Sequence, residues 1–245
     1  MKVALVTGGS QGIGLETVRR LVAENYQVIT CSRREDVWQQ QVERYPELAA
    51  VDYHQADISD EAQLYRLFSD ISEQYGKLDV AVNNASPALA SRGQFAEVVS
   101  VALQDTLQQD FWAQALCLQQ ELRLMGEGGA IVNLSSVNGL RPTPNAAMYS
   151  AAKHAIEGLT RSVALEVIGQ GIRINAVAPG VTWTPRWEAR EVEAPGTRAD
   201  VSAVVPAKRY ANASEIVDAV LFLLSEKASY IVGHTLVVDG GLSLN

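Results

Sequence analysis

The sequence predicts an α/β fold: one doubly wound domain with a seven-stranded, mostly parallel sheet and helices on both faces. Three observations predict it. Short apolar runs alternate with amphipathic helical patterns from one end to the other. The glycine-rich run Thr7-Gly8-Gly9-Ser10-Gln11-Gly12-Ile13-Gly14 joins the first apolar run directly to the first helical pattern. The chain has 245 residues with 47% apolar content, enough for one large core, so residues 1–245 read as a single domain.

Strands are predicted at 2–6, 27–31, 51–56, 79–83, 129–135, 172–178 and 234–239. Helices are predicted at 13–24, 35–44, 60–75, 100–125, 146–168 and 213–225. Right-handed crossovers then wind the sheet in both directions from its middle. The strands end in Thr7, Ser32, Asp57, Asn83, Ser135 and Pro179, and ligands of such sheets bind at that edge. The one irregular stretch is 184–212, with Pro185, Pro195, Gly196, Pro206, Trp187 and four arginines. Its place just after a strand tip predicts a lid over a substrate.

The net charge of −8 and the lack of a basic run exclude nucleic acid and anionic membranes as expected partners. Cys31 and Cys117 lie far apart without metal-ligand spacing, so no metal site is expected and free thiols in a reducing compartment fit best. The first apolar run is too short for a signal peptide and no stretch is long enough to cross a bilayer, so a cytoplasmic location is expected.

The glycine run has the chemistry of a phosphate cradle. Gly8 is free to take positive φ at the strand exit. Gly12 lets a pyrophosphate approach the backbone, and Gly14 lets the helix lie on the sheet. The uncapped amides at the start of the helix, with Ser10, Gln11 and Ile13 around them, then face phosphate oxygens. An acidic residue about twenty positions later would bind a ribose 2′-hydroxyl. Here Ser32 stands at that point, followed by Arg33 and Arg34. Guanidinium pairs well with a phosphate dianion, so NADP(H) is expected in preference to NAD(H). Asp57 and Ile58 close the adenine side, although Asp57 is equally suited to capping the next helix.

Tyr149 and Lys153 are four apart in a helical pattern and therefore share a face. Ser136 lies thirteen residues before Tyr149, just after the strand Ala130-Ile131-Val132-Asn133-Leu134. This trio suits acid–base chemistry on a carbonyl. Ser136 donates to the carbonyl oxygen, Tyr149 moves the proton, and Lys153 holds the cofactor ribose and lowers the phenol pKa by its charge. Bringing a phenol from ~10 to ~7 requires roughly 4 kcal/mol of differential stabilisation.

Taken together, these residues resemble the short-chain dehydrogenase/reductase family over essentially the whole chain. The shared motifs are the Thr-Gly-x-x-x-Gly-x-Gly start at 7–14, Asn83-Asn84-Ala85, and Ser136 with Tyr149-x-x-x-Lys153. The segment Asn175–Gly180 with Thr184, and the ending Gly233–Gly241, match as well. The ending is similar to that of bacterial 3-oxoacyl-carrier-protein reductases. The resemblance implies a Rossmann fold and hydride transfer between nicotinamide and a carbonyl or alcohol carbon. It implies cofactor contacts at Asn84, Ala85, Tyr149, Lys153, Pro179, Gly180, Thr182 and Thr184. It also implies a homotetramer or homodimer built through 100–125 and 146–168.

Two positions depart from the family pattern. Ser86 stands where the family's loop has glycine, and Asp110 stands where it has a catalytic asparagine. That asparagine holds a water linking the lysine to solvent. An aspartate also serves such a water, but its charge opposes tyrosinate. The leading reading is an NADPH-dependent carbonyl reductase with Ser136, Tyr149, Lys153 and Asp110 as catalytic residues. The alternative is an NADP(H)-binding sensor or scaffold with weak or no turnover because of Asp110. Candidate substrate residues are Asn138, Arg141, Asn145, Val181, Trp183, Arg186 and Trp187. They leave open a carrier-bound 3-oxoacyl thioester, a hydroxy-ketone or sugar, a bicyclic aromatic ketone and a pterin.

Overall fold

The computed structural model describes residues 1–244. Its sheet is built from β1 (Val3–Thr7), β2 (Gln27–Ser32), β3 (Asp52–Gln55), β4 (Leu78–Asn83), β5 (Met125–Leu134), β6 (Arg173–Pro179) and β7 (Thr235–Val238). The order across the sheet is β3-β2-β1-β4-β5-β6-β7, and every pairing is parallel. The helices are α1 (Gly12–Ala23), α2 (Glu35–Arg44), α3 (Glu61–Tyr75), α4 (Ser100–Leu107), α5 (Ala113–Leu124), α6 (Ala147–Val167), α7 (Pro185–Glu193), α8 (Thr197–Val204) and α9 (Ala213–Leu224).

A parallel sheet is covered on both faces, which is why its strands read as continuous apolar runs and not as alternating ones. All five residues of β1 and all seven of β6 are buried. Alternate side chains divide between two cores. Leu5, Ile29, Ala81, Ile131 and Ile174 meet Leu64, Leu67 and Ile71 of α3 and Leu116 of α5 on one face. Ala4, Val6, Val28, Val80, Val82 and Val132 meet Val18 and Leu21 of α1 and Ile216, Val220 and Leu223 of α9 on the other. Local signals set the helix ends. Asp60 accepts from the amides of Ala62 and Gln63 at the start of α3, and Gly76 ends that helix in the left-handed region.

Three elements differ from the sequence expectation. The pattern at 100–125 is not one helix: a π-helical turn at Gln108–Trp112 separates α4 from α5. The extra residue of such a turn rotates the following face, a shift that apolar periodicity alone does not show. The strand expected at 129–135 starts earlier, at Met125, across an irregular register with β4. The stretch 184–212 is largely helical. Pro185 occupies the first turn of α7, where its missing N–H loses nothing, and Gly196 at φ +96 turns the chain into α8.

The winding direction reverses between β1 and β4. There Thr7 Oγ1 accepts from the amides of Asn84 (3.0 Å) and Ala85 (3.1 Å), and the Asn84 side-chain amide donates to the carbonyls of Thr7 and Gly8. A polar thread runs through the core behind this joint. Asn83 donates to Glu121 Oε2 (2.9 Å) and to Asn133 Oδ1 (3.0 Å), and Asn133 donates to Thr160 (2.9 Å). Glu121 is fully buried, and burial pushes its carboxyl up to about 8, with the Asn83 bond opposing.

The folded chain therefore holds Glu121 protonated while the unfolded chain ionises it near 4.5. The stability tied to this group is whole below pH 4.5 and drains away as pH rises through about 8. Glu121→Gln, which mimics the neutral acid, is expected to raise Tm at pH 8 by roughly 5–10 °C, the scale of a few kcal/mol. The gain should vanish at pH 4; thermal melts of both proteins across that range check it.

Candidate active site

Four strand tips converge at the carboxyl edge. The chain leaves β1 through Gly8 at φ +73 and enters α1 with no side chain capping its first amides and no acidic residue in its first turn. A Cβ at Gly14 would lie 2.2 Å from the Gly8 carbonyl oxygen and 2.5 Å from Asn84 Nδ2, so only glycine lets α1 come this close to the joint. Ser10 is buried in the same loop, with Gln11 and Ile13 beside it. On the far side, Thr184 presses on Gly12: a Cβ there would be 3.3 Å from Thr184 Cγ2. This loop is a cradle of bare amides between two walls and fits a pyrophosphate. Among the described residues no group of three or more His, Cys, Asp or Glu is placed to hold a metal.

The adenosine end is set by β2 and β3. The Ser32 hydroxyl shares a hydrogen bond with Tyr53 (3.1 Å), whose ring stacks on Trp38. Arg33 is 55% exposed, and its one carboxylate neighbour, Asp57, is at 4.0 Å. Arg34 instead forms a two-pronged pair with Asp36 (2.6 and 3.1 Å). Arg33 is thus the free guanidinium of the two. Asp57 accepts from the amide and hydroxyl of Ser59, so it braces the turn before α3, while Asp60 provides the cap. Ile58 is buried in the core beneath that turn.

The reacting end is set by β5 and α6. Ser136 follows β5 and accepts from the Asn138 amide (3.1 Å). Lys153 is 1% exposed and donates to the Leu134 carbonyl at 3.0 Å. Its ammonium lies 5.6 Å from the Tyr149 ring centre. Tyr149 is half-buried between these groups. Asp110, on the π-helical turn, is 1% exposed and accepts from the Ser86 hydroxyl at 2.5 Å. The two departures from the family pattern are therefore hydrogen-bonded to each other. The Ala85 carbonyl is held by Gln114 (3.2 Å), and the Ser86 and Pro87 carbonyls by Arg186 (2.6 and 2.7 Å).

The Tyr149 phenol is pushed up to about 12, first by burial and then by the Asp110 charge. Arg186 and the hydroxyls of Ser136 and Ser86 pull the other way. Burial likewise lowers the Lys153 pKa, with Asp110 and Glu157 opposing and Arg186 reinforcing.

The substrate candidates separate into two groups. Trp183 and Trp187 both pack edge-on against Tyr210, at 5.2 Å. Asn138 is half-buried beside Ser136, and Val181 packs with Val137, Val205 and Leu242. Arg141 is drawn away to the Leu242 carbonyl (2.9 Å), and Asn145 is an exposed turn residue at φ +61 before α6. At the β6 tip Thr182 bonds the Gly180 carbonyl, and Gly180 itself lies against Asp239, where a Cβ would come within 2.7 Å. Pro179 ends β6 beside them. Sequence reasoning missed Ser86 as a member of the site, although its departure from glycine was the available signal. Tyr210, against which both tryptophans pack, carries no motif.

Residues 8–243 match the family model described as Enoyl-(Acyl carrier protein) reductase. The chain is 37% identical over 260 residues to levodione reductase of Leifsonia aquatica, covering 99% of this chain and 94% of that one. It is 36% identical to glucose 1-dehydrogenase of Gluconobacter oxydans (strain 621H), covering 99% and 92%. Among solved structures, ElxO with NADP bound superposes with a TM-score of 0.92 at 29% identity, covering 100% of this chain and 99% of that one.

Gly14→Ala tests the cradle. The added methyl meets backbone, so the helix must shift. A loss of about 1–3 kcal/mol of stability and a large loss of dinucleotide affinity are expected, read by thermal melting and by titration with NADPH.

Proposed function

The chain belongs to the short-chain dehydrogenase/reductase family of oxidoreductases, and from that premise we propose that it is an NADPH-dependent carbonyl reductase with Tyr149 as its general acid. The observation that carries this reading is the convergence of Ser136, Tyr149 and a buried Lys153 at the carboxyl edge, facing a cradle that fits a pyrophosphate. When bound, the nicotinamide supplies a hydride to the carbonyl carbon.

The residues do the rest. Ser136 donates to the substrate oxygen and orients it. Tyr149 gives its proton to the same oxygen as negative charge grows there. Lys153 holds the ribose hydroxyls. Ser86 holds Asp110 beside the phenol, its hydroxyl donating to the carboxylate. A phenol held near 12 is protonated at neutral pH, which suits donation in the reducing direction. Arg33 favours NADP(H) over NAD(H) by reading the 2′-phosphate. The lid over 184–212 and a homotetramer or homodimer belong to the same reading; the outer faces of 100–125 and 146–168 expose Val101, Leu107, Trp112 and Leu165. A second reading, a sensor without turnover, is favoured by the raised phenol and the Asp110 charge beside it.

The two readings part on three measurements. Tyr149→Phe is expected to lower ketone reduction by about 10²–10⁴-fold; full activity would overturn the assignment. Alcohol oxidation needs the phenolate, so its rate should climb about tenfold per pH unit above neutrality while reduction stays flat. Asp110→Asn removes a charge that raises the phenol, so that climb should move to lower pH with reduction staying within about tenfold. Tight NADPH binding with no turnover on ketones, ketoesters or quinones, and a thousandfold rise in Asp110→Asn, would instead establish the sensor. For the cofactor, Arg33→Ala should weaken NADPH by about 1.5–3 kcal/mol and leave NADH nearly unchanged, measured by fluorescence titration.

A further inference from the structure

The mouth of the site carries positive charge that the protein does not neutralise. Arg186 spends Nη2 on the carbonyls of Ser86 and Pro87, and among the described residues its Nη1 and Nε have no acceptor. Arg190 lies one helical turn further along α7, on the same face. Its guanidinium rests 4.6 Å over the Trp187 ring. Arg198, from α8, lies 4.1 Å over Trp183. Arg92, in the loop after β4, comes close enough to repel Arg190, as does Arg186; together with burial they lower the Arg190 pKa.

No ion pair among the described residues includes Arg92, Arg186, Arg190 or Arg198. The nearby carboxylates are otherwise placed. Asp110 is taken by Ser86. Glu191 accepts from the amides of Gly196 and Arg198 (3.0 and 2.6 Å). Glu188 and Glu193 are exposed on α7 and pair with none of the four. This happens in a chain with 28 acidic and 20 basic residues. Arg186 and Arg190 are half-buried, and guanidiniums that repel one another there hold together best around an anion.

We propose that the carbonyl substrate itself carries an anionic group, of the carboxylate class, which Arg186 and Arg190 bind with Arg92 at the rim. The trio Ser136, Tyr149 and Lys153 then sets where the carbonyl sits, and the arginines set which end of the molecule points outward. The face of Trp187 next to them provides the apolar wall for the carbon skeleton. Only the placement of the carbonyl rests on the function proposed above; the anion site stands on its own residues.

The test uses the full chain loaded with NADP⁺ and two keto acids, 4-oxocyclohexanecarboxylate and levulinate, each with its methyl ester. Trp183 and Trp187 lie under the arginines, so tryptophan fluorescence reports binding without turnover. At least one acid should bind about 30-fold more tightly than its ester, the worth of a charge-assisted pair. In the double variant Arg92→Gln/Arg190→Gln that ratio should fall by about tenfold or more. Equal binding of acid and ester, no binding of either acid, or an unchanged ratio in the variant overturns the proposal. So does a matching loss of NADPH affinity in the variant, which would give the arginines to the cofactor's phosphates. Turnover separates the two readings: ester reduced as well as acid removes the anion site and keeps the reductase, while acid bound tightly but never reduced keeps the site and removes the reductase.

Discussion

The approach of two strand exits at the reversal of the sheet governs everything at the carboxyl edge. Thr7 leaves β1 and Asn84 leaves β4 side by side, and their mutual hydrogen bonds lock the two loops at one spacing. Because that spacing is fixed, α1 has to start almost on top of the joint, and Gly14 is the one residue that permits it. The phosphate cradle, the bracing of Ala85 by Gln114 and the position of Ser86 all follow from this close contact of backbone with backbone. The inner end of the same joint is less comfortable: Asn83 reaches back to a carboxyl that burial keeps neutral.

Around the phenol the protein sets one charge against another. Asp110 raises the Tyr149 pKa and Arg186 lowers it, and both are fixed by contacts to the same short loop, Ser86 and Pro87. The loop is therefore where the two charges acting on the phenol are anchored. A Cβ and hydroxyl at position 86 cannot be viewed apart from a carboxylate at 110, since each supplies what the other lacks: a donor for one, an acceptor for the other. Arg186 completes the set by holding the backbone of that loop in place from α7.

Much of this was legible in the sequence, for reasons that differ by residue. The strands of a parallel sheet have to be apolar on both faces, so their existence and order could be read from the chain. Gly8, Gly14, Tyr149 and Lys153 could be read because backbone geometry and helical spacing leave few other residues able to do the work. Asp110 lies on a π-helical turn that periodicity does not reveal. The direction of the phenol shift was not legible, since it depends on burial and on the charges of Asp110 and Arg186 around it. Nor were the parts played by Arg34, Arg141 and Asn145: a surface ion pair, a carbonyl near the C-terminus and a left-handed turn took them, and none of these has a sequence signature. The helices within 184–212 were hidden by prolines and a glycine that in fact mark their boundaries.

The strand order has a kinetic consequence for the growing chain. β1 pairs with β2 almost at once, but its other neighbour, β4, brings partners 76 residues further on, Ala4 facing Val80. Until β4 has been made, the N-terminal half-sheet shows a bare edge of Ala4, Leu5 and Val6, and no local hairpin exists anywhere in the sheet to shield it. Assembly through such distant pairings is slow, and the open edge is exposed to other chains meanwhile. The cover for that edge is Val80, Ala81 and Val82, and no segment before them pairs with it.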